Sequence, residues 1–111
     1  MADGPVPRGL QDLDRIDAVF GALAHPTRRQ ILTVLRARGG TMTSGQLADR
    51  FDCTWPTTSR HLKVLVGAGL LTVSTEGRQR HYHLDRETLG SVAGHWIDRF
   101  RSRPDSADPD R

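Results

Sequence analysis

The chain has 111 residues, 36% of them apolar, and a net charge of +3. That length holds one domain with one modest core, and no apolar run approaches the roughly 18 residues of a membrane span. The single cysteine, Cys53, excludes an internal disulfide framework and any Cys-X-Cys metal site. Met1 to Arg8 carries no apolar stretch of the signal-peptide kind, so the expected compartment is the cytoplasm.

Charge is unevenly spread. Between His25 and Arg86 ten basic residues stand against four acidic ones, and both flanks are weakly acidic. A basic centre between acidic ends suits a polyanionic partner.

In chain order, residues 1–9, rich in proline and glycine, are expected to be a disordered tail. Leu10, Leu13, Ile16, Phe20 and Leu23 then recur every three to four residues, the spacing of an amphipathic helix. His25-Pro26 breaks it, and Pro26 suits the first turn of a second helix carrying Ile31, Leu32 and Leu35. Gly39-Gly40 ends that helix. Thr43 with Gln46 forms a capping box and opens a short third helix to Arg50.

After a turn at Phe51-Asp52-Cys53, Thr54 caps a fourth helix with Trp55, Leu62, Leu65 and Val66 on one face, and Gly67 and Gly69 close it. Two short helices joined by about three residues, the second longer, have the spacing of a helix-turn-helix. The period then changes to two. Leu71 and Val73 alternate with polar residues, Glu76-Gly77 turns the chain, and Arg80 to Leu84 alternates again, which predicts a β-hairpin placed as a wing. Asp85 caps a last helix with a stripe of Leu89, Val92, Ala93, Trp96 and Phe100. Residues 103–111, with two prolines and three aspartates, are expected to be a second disordered tail. The fold class is therefore mainly α with a two-stranded wing, a single winged helix-turn-helix domain over residues 10–102.

Two segments, Ala22-Leu23-Ala24-His25-Pro26-Thr27-Arg28-Arg29-Gln30-Ile31-Leu32 and Ser59-Arg60-His61-Leu62-Lys63-Val64-Leu65 with the following Gly67-Ala68-Gly69-Leu70-Leu71, resemble the ArsR-type (ArsR/SmtB) family of bacterial regulators. The resemblance runs from about Val19 to Phe100. It implies a homodimeric winged helix-turn-helix repressor that leaves its operator when an effector acts; the residues name no effector.

Independently of that resemblance, the fourth helix carries the chemistry of a DNA surface. Thr57, Arg60 and Val64 lie opposite Leu62 on a helical wheel, with His61 and Lys63 on the flanks. Short hydroxyls and basic side chains near the start of such a helix reach base edges and phosphates in the major groove, and its free N–H groups suit phosphate. The expected DNA contacts are Ser44, Thr57, Thr58, Ser59, Arg60, His61 and Lys63, with Arg78, Gln79 and Arg80 at the wing tip meeting the backbone or the minor groove. The first and last helices are expected to form the homodimer interface through Phe20, Leu23, Leu89, Val92, Trp96 and Phe100.

Neither metal nor cofactor is expected. Some family members sense metals, through a Cys-X-Cys pair in the first helix of the helix-turn-helix or through acids and histidines on the last helix. Here the former stretch reads Gln46-Leu47-Ala48-Asp49-Arg50, without a thiol. For the latter, Asp85, Glu87, His95 and Asp98 lack the early histidine and are too closely spaced. His81-X-His83 places two imidazoles on one strand face, a zinc geometry that exposed wing histidines share. Ser91, His95 and Asp98 mimic a hydrolytic triad only by their helical spacing, so no enzyme is expected. Cys53 is read as a small apolar residue in a turn rather than a redox sensor. Gly90-X-X-X-Gly94 either permits a close helix contact or is simply tolerated. Two rival readings stay open: a winged-helix module that binds a protein instead of DNA, and a metal-responsive repressor.

Overall fold

The computed structural model describes the backbone of residues 8–101 and the side chains of residues 12–101. The two expected tails lie outside these, except that residues 8 and 9 are already helical. The helices and strands follow in the order α1 (Arg8–Leu23), α2 (Pro26–Ala37), β1 (Thr41–Thr43), α3 (Ser44–Arg50), α4 (Trp55–Gly67), β2 (Leu71–Glu76) and β3 (Gln79–Leu84). The last helical stretch runs without a break through α5 (Arg86–Thr88), a π-helical segment (Leu89–Gly94) and α6 (His95–Arg101). No helix of the described residues is long and apolar enough to cross a membrane.

The predicted punctuation is present in side-chain detail. Thr43 Oγ1 accepts from the Gln46 N–H at 3.1 Å while Gln46 Oε1 accepts from the Thr43 N–H at 2.9 Å, a complete capping box. Thr54 accepts from the Thr57 N–H at the head of α4, and Asp85 from the Thr88 N–H at the head of α5. After α2 the chain turns through Gly39 and Gly40 at φ of 89° and 98°, a conformation that costs glycine little and other residues more.

The core gathers one face each of α1 to α4, Ala93 of the π-helical segment and the inner face of the sheet. Ile31 and Leu35 of α2, Leu47 of α3, and Leu62 and Leu65 of α4 have no exposed surface. Val19 and Ala22 of α1, Leu32, Met42, Leu70, Leu71, Tyr82 and Ala93 complete the cluster. Two expectations of buried faces need correction. Leu13 is 44% exposed, and α1 turns Val19 and Ala22 inward alongside the expected Ile16. Trp55 is 39% exposed at the first turn of α4, so it does not share the buried face of Leu62 and Leu65.

The sheet is three-stranded, in the order β1-β3-β2, where a two-stranded wing was expected. The added strand, Thr41–Thr43, is too short to show a period. It pairs antiparallel with β3, Met42 opposite Tyr82, and anchors the wing to the helix-turn-helix. Across the hairpin Leu71 pairs with Leu84, Val73 with Tyr82 and Thr75 with Arg80, so these side chains share one face. Burial fades along that face as the hairpin leaves the core. Leu71 is buried, Val73 is 44% exposed and Arg80 is exposed.

The π-helical segment was not anticipated either. It contains Gly90 and Gly94, the residues with the least preference for α-helix after proline. Along this stretch the apolar stripe turns outward, from buried Ala93 through half-buried Trp96 to Phe100, which is 72% exposed.

Thr58 illustrates the cost of an orphaned polar group. It is 1% exposed, and its hydroxyl has no hydrogen-bond partner among the described residues. An unsatisfied buried hydroxyl costs about 1–3 kcal/mol. Thr58→Val keeps the shape and removes the hydroxyl. It is expected to stabilise the protein by about 1 kcal/mol or more, several degrees in thermal unfolding. A lower melting temperature would contradict this account of the site.

Candidate nucleic-acid interface

The helix-turn-helix consists of α3, the residues 51–54 and α4. Leu47 and Leu62 lock the two helices onto the core, which leaves the opposite side of α4 to solvent. There Arg60, Lys63 and Val64 are exposed, and Thr57 and Ser59 are half-buried. The Thr57 hydroxyl accepts from Thr54 Oγ1 at 3.2 Å, so the cap also fixes this side chain. Ser44, the first residue of α3, is half-buried.

The wing brings its own basic residues to the same region. Gly77, at φ 62°, and Arg78 form the two-residue loop between β2 and β3. A glycine at positive φ is what a tight hairpin of this length requires. Arg78, Gln79 and Arg80 are all exposed. Arg80 and Lys63 line one cleft between β3 and α4, floored by Leu62, Val66 and Tyr82. One basic residue of the helix, Lys63, and one of the wing, Arg80, are therefore brought together, although they are separated in sequence.

Two of the expected contacts do not belong to that surface. Thr58 follows the spacing of Leu62 and Leu65, at positions i, i+4 and i+7, and points into the core. His61 is half-buried and turned toward α2. Its Nδ1 lies 3.3 Å from a guanidinium nitrogen of Arg28, and its ring packs on His25. Burial is the main cause holding the His61 pKa below its usual value, followed by the charges of His25 and Arg28. The sequence reading missed His25 and Arg28, because histidine is not among the preferred N-cap residues and His25-Pro26 reads simply as a break.

The wing histidines are occupied by protein groups. His81 Nε2 sits 3.3 Å from Glu76 Oε1. His83 meets the Thr41 hydroxyl at 3.0 Å through Nδ1 and the Ser74 hydroxyl at 2.9 Å through Nε2, tying together all three strands. Among the described residues no group of three or more His, Cys, Asp or Glu side chains is placed to hold a metal. The triad look-alike is not assembled: Ser91 donates to the Thr88 carbonyl and Asp98 accepts from Arg101, and no hydrogen bond of the described residues joins either to His95.

The expected dimer residues fall into two groups. Leu23, Leu89 and Val92 pack against the chain's own core. Phe20, Trp96 and Phe100 form an aromatic row, with centroids 5.4 Å apart for Phe20–Trp96 and 4.7 Å for Trp96–Phe100. Beside the row Ile97 is 47% exposed, a residue off the 3.6-residue stripe and so not anticipated.

Residues 23–74 match the model of a family described as a helix-turn-helix domain. The transcriptional repressor SdpR of Bacillus subtilis is 34% identical over 88 residues, which span 79% of this chain and 94% of that protein. The arsenical resistance operon repressor of the same organism is 34% identical over 80 residues, 72% of this chain and 75% of its own length. Among solved structures, the homodimeric winged helix-turn-helix DNA-binding domain of a possible ArsR-family transcriptional regulator from Mycobacterium bovis superposes with a TM-score of 0.68. It is 28% identical and covers 87% of this chain and 88% of its own. With the motifs, the fold and these relatives in agreement, the chain belongs to the ArsR family of winged helix-turn-helix transcriptional regulators.

Proposed function

We propose that this protein is a cytoplasmic repressor that binds an inverted-repeat operator in double-stranded DNA as a homodimer. The observation that carries the reading is the shared surface of α4 and the wing. Arg60 and Lys63 on the helix and Arg78 and Arg80 on the hairpin are four exposed cations, Lys63 and Arg80 line one cleft, and no acidic side chain among the described residues forms an ion pair with any of them. Thr57, Ser59 and Ser44 supply hydroxyls in the first turns of the two helices. The helix enters the major groove and the wing follows the backbone beside it.

The homodimer is supported by the exposed apolar residues of α1 and α6, Leu13, Ile97 and Phe100, next to Trp96. A small domain leaves such a strip open only when a partner covers it. A two-fold dimer presents two copies of α4, so the half-sites lie about one helical turn apart. Recovery and sequencing of genomic fragments bound by the protein tests this directly. The expected outcome is one imperfect inverted repeat common to them; fragments without a shared motif would refute it.

The proposed mechanism uses no metal. The protein is expected to keep its fold and operator affinity after exhaustive chelation, with zinc changing that affinity by less than about tenfold. A larger zinc effect, abolished by His81→Ala, His83→Ala or His95→Ala, would show a sensor site instead.

A further inference from the structure

Arg28, in the first turn of α2, holds three helices together. Its Nε donates to the Ala22 carbonyl at 2.8 Å and its Nη2 to the Gly21 carbonyl at 3.2 Å, both in the last turn of α1. Its Nη1 lies 3.3 Å from His61 Nδ1 on α4. A guanidinium can only donate, so His61 Nδ1 must accept, and the proton of this neutral ring sits on Nε2. His25, the N-cap of α2, is under the same constraint, because its Nδ1 accepts from the Thr27 N–H at 3.1 Å. The two rings lie against each other, with centroids 4.4 Å apart. The junction therefore uses the Nδ1 of both imidazoles as an acceptor, and holds the neutral His61 ring beside a permanent cation.

We propose that Arg28, His25 and His61 are positioning residues that set the recognition helix against α2, and that protonation of His61 releases this setting and weakens operator binding. The proposal rests on the operator-binding reading above. Protonated His61 loses its acceptor and places a positive charge against Arg28. Burial, then His25, then Arg28, already hold the His61 pKa below the ordinary imidazole value of about 6.5. The set form thus binds fewer protons than the released form. Its advantage is complete above that ordinary value and is lost as the pH falls through it toward the depressed one.

Few other charges bear on the site. His25 and Arg28 face it from α2, and α1 contributes its terminal carbonyls. Arg60 and Lys63 flank His61 on its own helix and are exposed. The one ionisable residue of β2, Glu76, pairs with His81. No carboxylate of the described residues pairs with His61 to offset an added proton. The direction of the effect is diagnostic, because added positive charge near a phosphate backbone ordinarily tightens DNA binding.

The test has two arms. The first follows the His61 ring by nitrogen-detected NMR in the free wild-type protein. Expected are an unprotonated Nδ1 at neutral pH and titration below the ordinary imidazole value. The second measures operator affinity from about pH 7.5 to about pH 5.5, the range in which imidazoles titrate, for wild type and for His61→Asn. The Asn amide oxygen can accept from Arg28 but does not titrate. Wild-type affinity is expected to fall several-fold over this range, while the variant's profile is flatter. A His61 ring that titrates at or above its ordinary value, or parallel profiles for the two proteins, would overturn the proposal. Absence of specific binding at every pH, with His61 still titrating low, would instead overturn the operator reading. The ring titration is read without DNA and decides the junction in either case.

Discussion

Replacing Trp96 with Ala should weaken self-association by about 3 kcal/mol, roughly a hundredfold in the dimer dissociation constant. Trp96 stands in the middle of the aromatic row, in edge contact with Phe20 and tilted against Phe100. Its removal takes away the largest apolar surface of the strip and unseats Phe100 as well. Part of the loss falls within the chain, since Phe20 packs on the core. Phe100→Ala separates the two contributions. At 72% exposure Phe100 buries little within the chain, so this substitution should weaken the dimer while the melting temperature at high protein concentration hardly moves. Sedimentation of the three proteins reads the effect. A wild-type protein that is monomeric at micromolar concentration would contradict the homodimer outright.

The sequence made most of this architecture legible, because its signals were local. Caps, glycine stops and apolar periods each concern residues within one turn or one hairpin, and they marked α2, α3, α4 and the hairpin correctly. The features that escaped depend on residues far apart in the chain. Strand β1 is three residues long and exists because β3 is there to pair with Met42. Val73 has the right period for burial but sits where the hairpin overhangs the core. The π-helical segment changes the winding, so a wheel drawn at 3.6 residues per turn overlooked Ile97.

The same distinction applies to the interface. The basic residues of α4 and the wing could be picked out one by one, since charge and element type suffice. That Lys63 and Arg80 line a single cleft could not be known before the hairpin was placed on α4. Thr58 was misjudged for a different reason. Its spacing to Leu62 and Leu65 marks it as inward-facing, but a hydroxyl near a helix start invites a DNA role. His61 was misjudged because its partners, His25 and Arg28, come from a different helix.

Base reading and phosphate holding are separable on this surface. Arg60, exposed on α4, is assigned a base or near-base contact. Arg60→Ala should cost about 1–3 kcal/mol in operator binding and relax the preference at one position of each half-site. Arg78, at the tip of the hairpin, is assigned to phosphate. Arg78→Ala should weaken binding to all sequences nearly equally and reduce the salt slope by about one unit for each contact removed. Both side chains are exposed and neither packs on the core, so both variants should unfold at the wild-type temperature.

Sequence-specific DNA binding by the joint surface of α4 and the wing is tested most directly by one titration series. Affinities of wild type, Arg60→Ala and Arg78→Ala are measured on the inverted repeat and on a scrambled duplex, from low to high salt. The account predicts steep salt dependence for the wild type, loss of discrimination for Arg60→Ala, and a shallower slope on both duplexes for Arg78→Ala. Unchanged affinity in both variants, with their folds intact, would show that this surface does not touch DNA, and a protein-binding role for the winged helix would replace it.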